Sequence, residues 1–324
     1  MNTHPPSREG RVLTDIAGPD LAQGQVFFMK NILFMIALAV AVAGCSRQHR
    51  PAPTYSVTDD AGRTVAFAAA PQRIVALAPS ATELVFALGR GDRVVGVTAW
   101  CDYPPQAKQL PQVGDAASVN PEKLLALRPD CAIMVGTRQS PALATLESLH
   151  IPTVVLDPKS PADVIHDLRL LGTALSCSTT ADSLARQLQT SLNEIWTQTQ
   201  LTQAQRPFVF AEIGINPLYT ASDDSYIGRM IALAGGRNIA GKMGPEYAAI
   251  NAEAVIAANP DVILVLHPAA KAAEVSRRIG WAGIGAVRNN RVYDNIDLDV
   301  VLRPGPRFVQ GLRELHGILY APQQ

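Results

Sequence analysis

The chain has 324 residues, 48% of them apolar and 17% charged, with 28 basic residues balancing 28 acidic ones. That length holds two domains of ordinary size, and the composition excludes a disordered chain. The charge balance argues against a surface built mainly for nucleic acid or another polyanion. His4, His49, His150, His166, His267 and His316 form no HxH or HExxH pair, so a dedicated zinc site is not expected, and no resident cofactor is expected either.

Lys30 precedes the apolar run ILFMIALAVAVA (32–43), which is short for a membrane span but right for a signal-peptide core. The run ends in VAGC, with small residues just before Cys45, and this resembles the lipobox of bacterial lipoproteins. The resemblance implies that Cys45 is acylated and becomes the mature N-terminus; the alternative is a short buried helix. Residues 1–28 do not fit a signal n-region, so Met29 is the expected start, and 1–45 are read as leader and signal peptide. Residues 46–54 are polar and Pro-bearing, as a tether should be. The expected location is an exported, membrane-anchored lipoprotein facing the periplasm of a diderm bacterium, or the surface of a monoderm. Ser46 resembles the outer-membrane sorting preference. Beyond Cys45, Cys101, Cys131 and Cys177 are an odd number that cannot all pair; Cys131 fits a core position, and a Cys101–Cys177 bridge stays open.

Residues 55–70 read as a hairpin around Asp-Ala-Gly, and RIVALAP (73–79) as a buried strand. Ser80 begins a helix and, with Glu83 three residues on, forms a capping box; Gly89 stops it. RVVGVT is a strand, a helix starts at Asn120, and CAIMVG is the next strand. SPALATLESLH is a helix and PTVVLD a strand. Residues 179–203 lack Gly and Pro and carry Leu184, Leu188, Leu192, Ile195 and Trp196 at helical spacing, a rod of roughly 37 Å. The alternation then restarts: PFVFAEIG strand, YIGRMIALAGG helix, AEAVIAAN helix, DVILVL strand, RVYDNI strand, and a final amphipathic helix over PRFVQGLRELHGILY. This predicts two three-layer α/β lobes with parallel strands, 55–178 and 206–324, joined by one long helix over 179–205.

The second lobe repeats the first. NPEKLLALRPDCAIMV (120–135) aligns without a gap on NAEAVIAANPDVILVL (251–266), and FALGRGDRVVG is echoed by IALAGGRNIAG. Two related lobes on a rigid connector make a cleft suited to a small ligand. Trp100, Asp102 and Tyr103 follow a strand end, where open α/β sheets contact ligands, and the aromatic faces suit a flat ring. Glu122 and Glu253 each sit in a first helical turn behind an Asn cap, where the helix dipole alone favours a carboxylate.

The linked motifs RIVALAPSATELVFALGRGDRVVGVTAWCDYPPQAKQLPQVG, NPEKLLALRPD, GINPLYT, AGGRNIA and LRPGPRF resemble the substrate-binding proteins of ABC importers for cobalamin, haem and iron siderophores. The match covers residues 55 to 320, and CDYPP with GINP leans toward the cobalamin branch. It implies the class III, helix-backed binding-protein fold, capture of a corrinoid without chemistry, and delivery by a monomer to a permease dimer with its ATPase subunits. The resemblance makes Glu122 and Glu253 the residues that dock onto permease arginines, one per subunit. It places Tyr219, Tyr247, Asp299 and Arg303 at ligand-contacting positions, beside Trp100, Asp102 and Tyr103. Arg303 would donate to corrinoid amide oxygens or a haem propionate, whereas Arg307 is read as structural. Two tryptophans of other members are Ala116 and Val135 here, and His267 at a strand end is a minor candidate for reaching a bound metal.

Three alternatives stand beside this reading: a haem or ferric-siderophore binder of the same family, an anchored α/β hydrolase, and a purely structural lipoprotein. No GxSxG, metal triad or P-loop occurs, and Ser80 is explained better as a cap than as a nucleophile.

Overall fold

The computed structural model describes residues 54–114, 118–201 and 206–321. The expected signal peptide with Met29 and Cys45, the expected tether as far as residue 53, and Ala116 lie outside the described residues. No helix among the described residues is long and apolar enough to cross a membrane.

The hairpin forms as expected from β1 (Tyr55–Thr58) and β2 (Thr64–Phe67), whose alternation turns Val57, Val65 and Phe67 inward. Four parallel strands follow, β3 (Ile74–Ala76), β4 (Val94–Val97), β5 (Cys131–Val135) and β6 (Thr153–Leu156), in the order β4-β3-β5-β6. Their apolar runs are buried on both faces, as parallel strands require. Ile74, Ile133 and Val154 enter one core with Leu84 of α1 (Pro79–Ala87). Val75, Ala132 and Val155 enter another with Leu124 of α2 (Pro121–Leu127) and Leu143 of α3 (Pro141–Ser148).

Helix α1 departs from the expected capping box. It starts two residues earlier, with Ala78 as N-cap, no side-chain cap, and Pro79 in the first turn, where its fixed φ suits the helix. Ser80 is buried inside that turn, and Glu83 turns into the protein rather than back to the cap.

Periodicity did not single out α4 (Pro161–Ala174), capped by Ser160, which accepts from Asp163 N at 3.3 Å. It turns at Ser176 (φ 53°) into α5 (Ser178–Leu201), 24 residues and about 36 Å long. At their contact a Cβ on Gly172 would fall 2.3 Å from Ala181 Cβ, so the rod is doubled over its first turns.

The second sheet contains the same parallel plan. Strands β7 (Phe208–Ile215), β9 (Arg237–Asn238), β11 (Val262–Val265) and β12 (Val292–Tyr293) run β9-β7-β11-β12, matching β4-β3-β5-β6. It is not purely parallel, however. Strand β8 (Leu218–Ala221) returns antiparallel from β7 over Asn216-Pro217, because a two-residue connection permits nothing else, and β10 (Tyr247–Ala249) pairs antiparallel with β8. This pair widens the sheet alongside the C-terminal half of β7. Helices α6 (Tyr226–Leu233), α7 (Ala252–Ala258), α8 (Ala272–Ser276), α9 (Gly285–Arg288), α10 (Leu298–Val301) and α11 (Phe308–Leu319) complete the lobe. One hydrophobic core runs from Ile74 and Leu84 through Ala185 and Leu192 of α5 to Val209, Leu264 and Leu312, joining the two lobes without a break. Cys101, Cys131 and Cys177 are all buried and free, so no Cys101–Cys177 bridge forms.

Candidate functional site

The loop after β4 meets the loop between α10 and α11 at the floor of the cleft. Arg303 Nη1 donates to Asp102 Oδ1 at 2.6 Å, its Nη2 lies 2.7 Å from Asp299 Oδ1, and Glu83 Oε1 is 3.6 Å away. Asp299 and Arg303 are four residues apart, and Asp297 holds the start of α10 by accepting from Asp299 N. Four residues further on, Arg307 Nε and Nη2 donate to the two oxygens of Glu83 at 2.8 and 2.7 Å. Glu83 is 1% exposed there. The Arg307 guanidinium also lies over the Tyr103 ring, 3.9 Å from its centroid. Pro304-Gly305 brings the backbone against this pair: a Cβ on Gly305 would stand 3.3 Å from Glu83 Oε2.

These charges set one another. The hydrogen bond from Arg303 holds the Asp102 carboxyl below its usual range, against partial burial. Burial opposes the charge on Arg303, but Asp102, Asp299 and Glu83 outweigh it and raise its pKa. The bond to Glu83 raises that of Arg307. Three carboxylates face two guanidiniums, so the floor carries a net charge of −1.

The expected aromatic residues stand around this floor. Trp100 is 70% exposed and Tyr103 43%, so neither ring is buried in the core of the first lobe. Tyr219 faces Ala249 across β8 and β10, and Tyr247 faces Ala221, so both tyrosines share one face of that pair. Burial first, then Glu246, raises the pKa of Tyr247. Beside it, Lys159 of the first lobe pairs with Glu246 of the second at 2.9 Å and with Asp157 at 2.8 Å, a second tie across the cleft. Thus Asp102, Asp299, Arg303 and Tyr103 form one linked group, while Trp100, Tyr219 and Tyr247 share no hydrogen bond or ring contact with it among the described residues. A cavity of about 860 Å³ adjoins the Glu83–Arg307 pair, lined by Phe86, Tyr103, Leu188 and Val309 among others; Trp100, Tyr219 and Arg303 are not in its wall.

Two sequence expectations change here. Arg303 is already bound by carboxylates, so donation to a propionate would require breaking those bonds. His267 is tied down: its Nε2 lies 3.0 Å from Glu212 Oε1, and Arg278 binds the same fully buried carboxylate at 2.5 and 2.7 Å. Its side chain is 8% exposed, so it is a structural partner and not a metal ligand. Among the described residues, no group of three or more His, Cys, Asp or Glu is placed to hold a metal ion. The Glu83–Arg307 clamp was missed in the sequence. Its signal was an acid inside the apolar ATELVFAL and two arginines one helical turn apart in LRPGPR.

The repeated helices α2 and α7 carry Glu122 and Glu253 on their exposed faces. Asn120 accepts from Lys123 N at 2.9 Å and Asn251 from Ala254 N at 2.7 Å, confirming both caps. Neither Glu has an ion pair or hydrogen bond among the described residues.

Residues 74–295 match the pattern of a family described as periplasmic binding protein. An ABC transporter substrate-binding lipoprotein of Bacillus subtilis, called uncharacterized, is 32% identical over 302 residues, covering 88% of this chain and 95% of that protein. The vitamin B12-binding protein of Pectobacterium carotovorum is 34% identical over 199 residues, or 61% of this chain and 72% of that one. Among solved structures, the periplasmic haem-binding protein RhuT of a Roseiflexus species superposes with a TM-score of 0.68 at 30% identity. The superposition covers 78% of this chain and 99% of that one.

Proposed function

The chain belongs to the periplasmic binding protein family and is the substrate-binding component of an ABC importer of the vitamin B12, haem and siderophore type; from that premise we propose that it captures a corrinoid between its lobes and hands it to the permease. Members of this family carry substrates and do not transform them, which sets aside the hydrolase. The cleft lies between lobes 55–178 and 206–324, bridged by 179–205. We assign its walls to Trp100, Tyr103, Tyr219 and Tyr247 and its polar floor to Asp102, Asp299 and Arg303.

The observation that carries this reading is the charge of the floor. Its guanidiniums are saturated by Glu83, Asp102 and Asp299, which leaves a net −1 and outward carboxylate oxygens. Haem propionates and anionic iron chelates need free cationic donors, whereas the edge of a corrinoid carries neutral amides whose N–H groups need acceptors. Exposed aromatic faces supply area for the flat ring, at about 25 cal/mol per Å² of apolar surface buried. The vitamin B12-binding relative supports the same choice. Haem remains the second reading: Tyr103, Tyr219 and Tyr247 are exposed phenols of a kind that ligates iron, and RhuT is a haem-binding neighbour.

Side-by-side calorimetry of the soluble chain, starting at Ser46, with cyanocobalamin, haemin and a ferric siderophore tests the proposal. Cyanocobalamin is expected to bind tightly, and replacing Trp100 by Ala to weaken it at least tenfold. Tight haemin binding without cobalamin heat moves the assignment to haem.

Delivery follows the same logic. Glu122 and Glu253, in equivalent places on related lobes, are assigned to contacts with cationic residues on the two permease subunits, for a protein acting as a monomer. Acylation at Cys45 is assigned to the anchor, with 46–54 as its tether.

A further inference from the structure

We propose that Leu125 and Ile256 are apolar docking knobs that enter two equivalent sockets of the dimeric permease, beside the carboxylates of Glu122 and Glu253. This rests on the docking reading above and extends it from charge to shape.

The positions shared by the two repeats mostly have work inside the fold. Asn120 and Asn251 cap their helices, and Leu124 and Val255 are fully buried. Arg128 (φ 46°) and Asn259 (φ 47°) end the helices in the left-handed region. Asp130 accepts from the backbone of Gln72 and Arg73 at 2.8 and 2.9 Å, and Asp261 from Phe208 at 2.8 Å, so each pins the entry to its lobe's central strand.

Apart from the exposed Ala126 and Ala257, which carry only a methyl, two repeated positions have no such work. One is the unpaired Glu. The other, three residues on and therefore on the same helix face, is Leu125, 56% exposed, and Ile256, 37% exposed. Leaving a large aliphatic group in water is unfavourable, and folding gives no reason to repeat it in both lobes. Among the described residues, the large aliphatic side chains this exposed are Leu125, Ile256 and Ile279. Ile279 belongs to the same surface, because it precedes Gly280, whose added Cβ would lie 3.1 Å from Ile256 Cδ1.

The duplication identifies the partner. An asymmetric protein has no use for two like acid-plus-aliphatic pairs on two related lobes. A homodimer that offers the same apolar socket twice, each beside a cation, fits both. The carboxylates disfavour an anionic lipid surface as the alternative.

The test is co-purification of the full-length chain with its epitope-tagged permease–ATPase complex from mild detergent, which needs no bound cargo. Leu125→Ser/Ile256→Ser is expected to lower retention roughly tenfold and each single change severalfold, with unchanged thermal melting. Leu125→Gln/Ile256→Gln serves if a Ser variant fails to fold. Full retention of the Ser pair, with loss in Glu122→Ala/Glu253→Ala, overturns the knobs and leaves carboxylate docking standing. Full retention of both pairs, or no retention of the native chain, overturns docking itself. Loss from one lobe alone overturns the equivalence of the sockets. Loss of binding to a second tagged copy, with permease retention intact, assigns the patch to self-association and overturns the proposal.

Discussion

Arg307 and Glu83 are 224 positions apart, yet they make the most buried charged pair across the cleft. Replacing Arg307 by Met leaves a carboxylate that is 1% exposed without its bidentate partner. Breaking such a pair costs about 3 kcal/mol, and Glu83→Gln in the same background should recover part of it. Urea unfolding of the single and double variants measures both. Asp167 offers a pH test. Burial first, then Asp60 and the other nearby acids, pushes its carboxyl from 3.8 to about 9. A group whose pKa rises on folding stabilises at low pH, fully below its unfolded value, and the benefit is lost as pH climbs toward about 9. Stability should therefore fall by up to about 1.4 kcal/mol per pH unit within that window. Asp167→Asn should flatten the slope and melt above the native chain at pH 8, by scanning calorimetry; parallel slopes would refute it. Residue chemistry was the least legible scale. Trp100 and Asp102 stood out at a strand end and Arg303 through the family resemblance, but Glu83 looked like a cap because a linear reading cannot show a partner on the other lobe.

At the scale of elements, helices and parallel strands were legible wherever burial imposes a period, and the connections were not. Strand β8 was hidden because Asn216-Pro217 interrupts an otherwise continuous β-type run, so no strand is read in GINPLYT. Helix α4 carried its signal in Ser160, Asp163 and the spacing of Val164, Leu168 and Leu171, but a long helix beside it drew the reading to one rod. Gly172 tests that packing. Ala is intrinsically better in a helix than Gly by about 1 kcal/mol. A Cβ here would nonetheless sit 2.3 Å from Ala181 Cβ, closer than any contact allows. Overpacking costs about 1–3 kcal/mol, so sterics win and Gly172→Ala should destabilise the protein in a urea titration.

The molecule as a whole has more joining its lobes than a single helix. Arg303–Asp102, Arg307–Glu83 and Lys159–Glu246 cross the cleft, and one core runs through α5 into both sheets. Cargo should therefore settle between lobes that hardly move. Small-angle scattering with and without ligand should differ by less than about 1 Å in radius of gyration; a large compaction would show that the ties break on binding. The two-lobe plan was legible because the sequence states it twice, and the extra strands β8 and β10 were not, because only the second lobe has them.

That internal duplication also bears on transport. If the two lobes present like contacts to a two-fold partner, the binding protein can land in either of two orientations half a turn apart. The choice doubles the productive encounters, worth about 0.4 kcal/mol. It also means that the same cargo arrives over the channel facing either way. The two presentations are related by the partner's own two-fold axis, so the conduit meets the same contacts in both. No separate step is then needed to choose between the two landings.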